Sequence, residues 1–238
     1  MSHDLSSRAV VVTGASSGIG RALALALVAR GARVVAAARS TDALAALAAA
    51  AGPALTPIGA DVRDAGAVAR LAAAAADAGP IDAVINNAGF GQVEPFLASD
   101  PQRWGATLET NLVGALLVAR AFLPGMLAAR RGVIVNVGSA SASGWPYLTL
   151  YAASKAALQA ASLSLDREFA AQGVRVLHVE VGPTAGTGFG DHSDPAHLPA
   201  AREAWTALGI PWAVDVRLPD ETAATILTTL TAALSGRP

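Results

Sequence analysis

The sequence predicts a doubly wound α/β domain, one parallel sheet covered by helices on both faces. Three observations carry that prediction. Short β-branched runs alternate with helix-length Ala/Leu stretches along the chain. The runs are nearly continuous in apolar character, as expected for parallel strands buried on both faces. A glycine-rich turn, Thr13 to Gly20, joins the first run to the first helical stretch.

Taken in order, the first strand is Ala9–Thr13, and Ile19–Arg30 follows as a helix with Gly31 at its C-terminal end. The second strand, Arg33–Ala37, leads into the helix Asp42–Ala50, with Ser40 or Thr41 as its N-cap and Gly52 beyond its end. Ala54–Ile58 and Ala83–Asn86 read as the third and fourth strands, separated by the helix Ala65–Asp77. One long helix, Pro101–Arg130, precedes the fifth strand, Gly132–Val137. The helix Ala152–Gln172, stopped by Gly173, precedes the sixth strand, Val174–Val181. Beyond it, residues 183–219 are rich in Gly, Pro, Asp and His, with at most a short helix near Ala200–Leu208. A loop of that length in a compact domain suggests a lid or binding segment. Asp220–Leu234 reads as the last helix, and no seventh strand follows. The expectation is a single domain over 1–238 with a six-stranded sheet.

Composition narrows the function. The chain has 238 residues, is 53% hydrophobic and carries a net charge of −1, so it has no basic field to hold nucleic acid. It has no cysteine, which removes disulfides, thiolate metal sites and a cysteine nucleophile together. The four histidines, His3, His178, His192 and His197, show no metal-ligand spacing with carboxylates, although His192 and His197 flank the lid. Apolar stretches such as Ala22–Ala29 are interrupted by Arg21 and Arg30, well short of a membrane span of about twenty residues. No secretory signal is legible at Met1 to Arg8, so a cytoplasmic location is expected.

Thr13-Gly14-Ala15-Ser16-Ser17-Gly18-Ile19-Gly20 has the character of a phosphate cradle. Glycines let the backbone approach a ligand closely, and the unpaired amides and positive end of the next helix attract a pyrophosphate. The second strand then ends Ala36-Ala37-Ala38-Arg39-Ser40, with no carboxylate on it to accept from a ribose 2′-hydroxyl. Arg39 arrives instead, where a planar cation can clamp a 2′-phosphate, which favours NADP(H) over NAD(H). One further oddity stands out: Lys155 is the single lysine against sixteen arginines, four residues after Tyr151. On a helix that spacing puts both side chains on one face.

These segments resemble the successive motifs of the short-chain dehydrogenase/reductase family. The resemblance rests on TGASSGIG at 13–20, Asp61-Val62, Asn86-Asn87-Ala88-Gly89, Asn111 and Tyr151-Ala152-Ala153-Ser154-Lys155, in the family's order. It implies a dinucleotide-binding Rossmann domain with a Tyr–Lys–Ser–Asn site. Tyr151 would act as general acid or base on a carbonyl or alcohol oxygen, with Lys155 lowering the Tyr151 pKa and binding the nicotinamide ribose. Ser139, with Ser141 as the alternative, would hydrogen-bond the substrate oxygen. Asn111 would disturb the long helix and hold a water in a relay to Lys155. Gly14, Ser16, Ser17, Gly18, Ile19 and Gly20 would cradle the cofactor phosphates. Asp61 and Val62 would meet the adenine, and Asn87, Ala88 and Gly89 would pass the adenine and ribose. At the nicotinamide end, Gly182, Pro183 and either Thr184 or Thr187 stand where the family commonly has Pro-Gly, so the contact there is left open.

The substrate pocket is expected from Phe90, Val93, Trp145, Tyr147, Leu148 and Phe189. No arginine or lysine sits in those segments, which points to a small, neutral, hydrophobic ketone or secondary alcohol. The resulting expectation is an NADP(H)-dependent carbonyl reductase or alcohol dehydrogenase with no metal. Two other classes remain open: a non-catalytic sensor or partner-binding protein on the same scaffold, and a non-redox lyase or epimerase. Without a seventh strand, a homodimer through the helices at 101–130 and 152–172 is expected.

Overall fold

The computed structural model describes residues 5, 6, 8–77 and 79–236. Six parallel strands form one sheet in the order β3-β2-β1-β4-β5-β6. They are β1 (Ala9–Thr13), β2 (Arg33–Ala38), β3 (Leu55–Gly59), β4 (Ala83–Asn86), β5 (Gly132–Val137) and β6 (Val174–Val179). The order reverses between β1 and β4, and that switch point is where open α/β sheets open a crevice for ligands. Arg237 and Pro238, like His3, lie outside the described residues, and no seventh strand occurs among those described.

Strand alternation divides the core in two. Val10 and Val12 of β1 face one side with α1 (Gly18–Ala29), α2 (Thr41–Ala51) and α8 (Pro219–Leu234). Val11 faces the other, with α3 (Ala65–Asp77) and α5 (Ala115–Ala128). Leu23, Leu27, Leu44, Ile226 and Leu227 fill the first layer, and Leu71, Val118, Phe122 and Met126 the second. Each such side chain contributes roughly 1.5–3 kcal/mol on burial. Pro57 is tolerated in β3 because that strand is at the sheet edge, where a missing donor costs little.

The expected helix ends are largely met. Ser40 caps α2 by accepting from the Ala43 amide at 3.4 Å, and Gly31 and Gly173 take positive φ after their helices. Two boundaries differ from the sequence reading. β6 stops at Val179, because Gly138 N and Ala140 N pair with Val179 O and Val181 O outside the regular ladder. The long helix is three pieces, α4 (Pro101–Leu108), a π-helical turn (Glu109–Gly114) and α5. The wide turn lies at Asn111, so the expected disturbance of the helix is present. By length and composition the run Pro101–Ala128 is also apolar enough to cross a bilayer, contrary to the expectation from shorter stretches. Its inner face instead packs on α3 and the sheet.

α6 (Thr149–Phe169) carries Tyr151 and Lys155 and is pinned to the sheet by a buried polar ladder. Asn86 Nδ2 donates to Asn136 Oδ1 at 2.8 Å, Asn136 Nδ2 to Ser162 Oγ at 2.8 Å, and Ser162 Oγ to Leu158 O at 2.6 Å. These hydrogen bonds offset most of the cost of burying the polar groups, with Asn86 Oδ1 left unpaired among the described residues.

Candidate active site

The loops at the carboxyl ends of β1, β4, β5 and β6 converge on one cleft of about 310 Å³. The turn after β1 is held tight by Thr13 and Asn87. Thr13 Oγ1 accepts from the amides of Asn87 and Ala88 at 3.1 and 3.2 Å, and Asn87 Nδ2 donates to the Thr13 and Gly14 carbonyls. Gly14 has φ +65°, and a Cβ there would come within 2.8 Å of Ala88 Cα. A Cβ on Gly20 would collide with the Gly14 carbonyl oxygen. These two glycines are therefore required by close backbone approach.

Ser17 caps α1 in an extended conformation with no side-chain hydrogen bond, and the first turn of α1 holds no acidic residue. Its amides are left for an anion, which is the arrangement that takes a pyrophosphate. Gly14, Ser16, Ser17, Ile19, Arg39, Asp61, Val62, Asn87, Ala88, Gly89, Tyr151, Lys155 and Thr187 are brought together along this cleft. The cradle, the free helix terminus and Arg39 together fit a nicotinamide dinucleotide.

Several placements correct the sequence reading. Gly18 and Gly20, in the first turn of α1, pack against Thr187 and the Gly14 carbonyl, so it is their backbone that serves the cradle. Gly182, Pro183 and Thr184 line a second cavity, and Thr184 is tied by its hydroxyl to Thr222 at 2.9 Å. Between the two threonines, Thr187 is the one that faces the cleft. Asp61 reaches the cleft already engaged by Arg63 at 2.6 Å, which holds its carboxyl below the usual range. The capping role at α3 belongs to Asp64, which accepts from the Gly66 amide at 2.7 Å.

The second cavity, about 440 Å³, adjoins the cleft and shares Ile19, Tyr151, Val181, Thr187 and Phe189 with it. Tyr151 therefore stands at the junction. Its ring meets Phe189 edge-on at 4.7 Å. The lid loop carrying Phe189 is held by Ser193 Oγ accepting from Val93 N at 2.8 Å and by His192 O accepting from Gln92 Nε2 at 2.9 Å.

Val93, Trp145, Leu148 and Phe189 line this cavity as expected, but Phe90 and Tyr147 do not. Phe90 faces the cofactor cleft and lies edge-on to His192. Tyr147, with a left-handed backbone at φ 65°, packs on the Val93–Trp145–Leu148 cluster and lines a small neighbouring pocket with Phe96 and Trp104. Neither His192 nor His197 lines either cavity. Trp205, Trp212 and Arg202, all from the lid region, complete the wall in their place. Sequence reasoning missed them because only the fold brings α7 (Leu198–Ala207) over Tyr151.

Lys155 is 4% exposed and its Nζ donates to Val137 O at 2.7 Å, 5.8 Å from the Tyr151 ring centroid. Burial brings the Lys155 pKa down to about 8. Burial likewise pushes the Tyr151 phenol up to about 12, with the Ser139 hydroxyl pulling weakly the other way. In the protein alone, burial is the dominant influence on the Tyr151 phenol. Ser139 Oγ and Ser141 Oγ are 2.9 Å apart, and both line the second cavity. Ser139 is the one that acts on the phenol, and buried Ser141 braces it.

Asn111 is fully engaged. Its Oδ1 accepts from Phe90 N at 3.0 Å, and its Nδ2 donates to Phe90 O at 2.9 Å and to Ser154 Oγ at 3.0 Å. The side chain locks the loop after β4 to α6 one residue from Lys155. No hydrogen bond joins it directly to Lys155 among the described residues. No group of acidic or histidine side chains suited to a metal occurs among the described residues.

A short chain dehydrogenase family profile matches residues 8–196. The chain belongs to the short-chain dehydrogenase/reductase family. An NADP-dependent 3-hydroxy acid dehydrogenase of Salmonella typhi is 36% identical over 184 residues, 76% of this chain and 74% of that protein. Among solved structures, the closed form of a serine dehydrogenase complexed with NADP+ superposes with a TM-score of 0.81 at 29% identity. That match covers 94% of this chain and 89% of the other. A short-chain dehydrogenase from Streptomyces avermitilis gives 0.82 at 31% identity, covering 97% and 92%. The chain is an oxidoreductase of this family, with NADP-dependent relatives.

Proposed function

We propose that the protein interconverts a ketone and a secondary alcohol, with NADP(H) as the preferred cofactor and Tyr151 as the general acid/base. The observation that carries the reading is the position of Tyr151, at the junction of a phosphate-cradling cleft and a separate, mostly apolar cavity. The cofactor supplies or takes the hydride. Tyr151, protonated at neutral pH, donates its proton to the carbonyl oxygen during reduction, while Ser139 orients that oxygen. Lys155 has used one of its three N–H donors on Val137 O, and the others face the cleft for ribose hydroxyls. Asn111 ties Phe90 to α6 through Ser154, which holds Lys155 in register with the cleft.

The test is a spectrophotometric scan of ketones with NADPH and NADH. Carbonyl-dependent oxidation of NADPH supports the reading. Tight NADPH binding without oxidation by any carbonyl would instead support a sensor or a non-redox enzyme.

NADP preference rests on Arg39 at the cleft rim beside Ser40, where no acidic residue of β2 competes. A charge-assisted contact to a 2′-phosphate is worth about 1.5–3 kcal/mol. Arg39→Ala should therefore raise KM for NADPH about 10- to 100-fold and leave KM for NADH nearly unchanged. Equal effects on both cofactors would remove Arg39 from the 2′-phosphate site.

The homodimer through the helices at 101–130 and 152–172 is also proposed, in a cytoplasmic setting. Val113 and Leu163 are 44% and 51% exposed on those helices, beside a groove lined by Leu116, Leu123, Leu127, Leu165 and Phe169. Leu163→Glu should convert a dimer to a monomer in light scattering. A wild-type monomer at micromolar concentration would contradict the assembly.

A further inference from the structure

We propose that Arg202 is the anchor for a carboxylate on the substrate, so that the enzyme's preferred substrates are oxo acids and the matching hydroxy acids. The inference rests on the carbonyl-reductase reading above and names the substrate class of that site.

The wall of the substrate cavity is apolar almost throughout. It is built from Val93, Trp145, Leu148, Phe189, Trp205 and Trp212, with the hydroxyls of Ser139 and Tyr151 at the reacting end. Among the described residues that line it, Arg202 is the one charged side chain, and no aspartate or glutamate joins it. It stands on α7, outside the segments from which a neutral pocket was expected, and so replaces that expectation.

Arg202 is exposed on α7 at the mouth of the cavity, and two features suit it to receive an anion there. Its guanidinium lies over the Trp212 ring at 5.2 Å, a cation–π contact that holds it at the cavity wall. None of the ion pairs among the described residues includes it, so its donors are not committed to a protein carboxylate. The wall behind it is rigid. Trp205 Nε1 donates to Pro146 O at 2.7 Å, Trp212 Nε1 donates to Thr206 Oγ1 at 3.0 Å, and Trp205 packs between Trp145 and Trp212. A guanidinium at the mouth of an otherwise apolar cavity selects a planar, bidentate anion over a neutral group of the same shape. With the carbonyl held by Ser139 and Tyr151, the carboxylate end of an oxo acid lies against α7.

The experiment compares acetoacetate and levulinate, each with its methyl ester, as substrates with NADPH for wild type, Arg202→Met and Arg202→Lys. In wild type, kcat/KM should favour at least one acid over its ester by about 10- to 100-fold. Arg202→Met should collapse that acid-to-ester ratio toward one, and Arg202→Lys should restore part of it. NADPH affinity measured on the same variants reports that the fold is intact. Acids and esters reduced equally well by wild type, or a ratio unchanged in Arg202→Met, would overturn the anchor and leave the carbonyl-reductase reading standing. If no carbonyl is reduced at all, the reading of the reaction fails separately, and binding then decides the anchor. Three of the four tryptophans line the cavity, so levulinate should quench tryptophan fluorescence in wild type and not in Arg202→Met. The same quenching curve in both proteins would overturn the anchor.

Discussion

Tyr151→Phe is expected to lower kcat for carbonyl reduction by about 10²–10⁴-fold while leaving NADPH affinity nearly unchanged. The substitution removes one oxygen from the junction of the two cavities and keeps the ring that packs on Phe189. Folding should therefore survive, and the loss should fall on proton delivery alone. Because burial raises the phenol to about 12, the tyrosine is fully protonated at neutral pH and suited to acting as an acid. Alcohol oxidation needs the opposite form, so its rate should climb with pH where reduction does not. Single-turnover kinetics at saturating NADPH measure the effect without product release. A Tyr151→Phe rate within a few-fold of wild type would remove Tyr151 from the reaction.

Lys155→Met is expected to impair turnover comparably and to change how stability depends on pH. Folding lowers the Lys155 pKa from an ordinary 10.5 to about 8, so the unfolded chain binds more protons between those values. Stability of the cofactor-free protein should thus rise with pH from about 8 toward 10.5, and fall away as pH drops through 8. Tyr151 has the opposite sign: raised from 10 to about 12, its contribution is present below pH 10 and is lost above it. The composition makes this window unusually clean, with one lysine, two tyrosines and no cysteine in the chain. Denaturant titrations across pH 7–11 should show a rise and then a fall for wild type. For Lys155→Met the rise should vanish, and an unaltered rise would assign it elsewhere. For activity, kcat/KM of reduction should decline above pH about 8 as Lys155 loses its proton. Lys155→Arg keeps the charge, but its broad planar head cannot make the same ribose contact, so turnover should still fall severely.

Much of the fold was legible because the strands and helices are written in local patterns. The buried run Ala9–Thr13, the cap at Ser40 and the stop at Gly173 each depend on neighbours in sequence. The cofactor cleft was legible for the same reason: Gly14, Arg39 and Asn87 sit in contiguous segments at strand ends, and their positions follow once the strands are placed. The substrate cavity was not. Its distal wall comes from a lid helix some fifty residues after Tyr151 in sequence, and no periodicity reveals that Arg202 and Trp212 face Ser139. Tyr147 packs behind that wall instead of lining the cavity, with a left-handed backbone that the sequence does not announce. The burial that raises the Tyr151 phenol was not legible either. Sequence spacing puts a cation one turn away, but it carries no information about how completely the pair is desolvated.

The hydride itself can be followed. The purified protein would be incubated with an oxo acid and NADPH carrying deuterium at the transferable position of the nicotinamide, and the product examined by mass spectrometry. The account predicts one deuterium on the carbinol carbon of the hydroxy acid formed by wild type, and no labelled product from Tyr151→Phe in the same interval. Unlabelled alcohol from wild type, or labelled alcohol formed as fast by Tyr151→Phe, would contradict it.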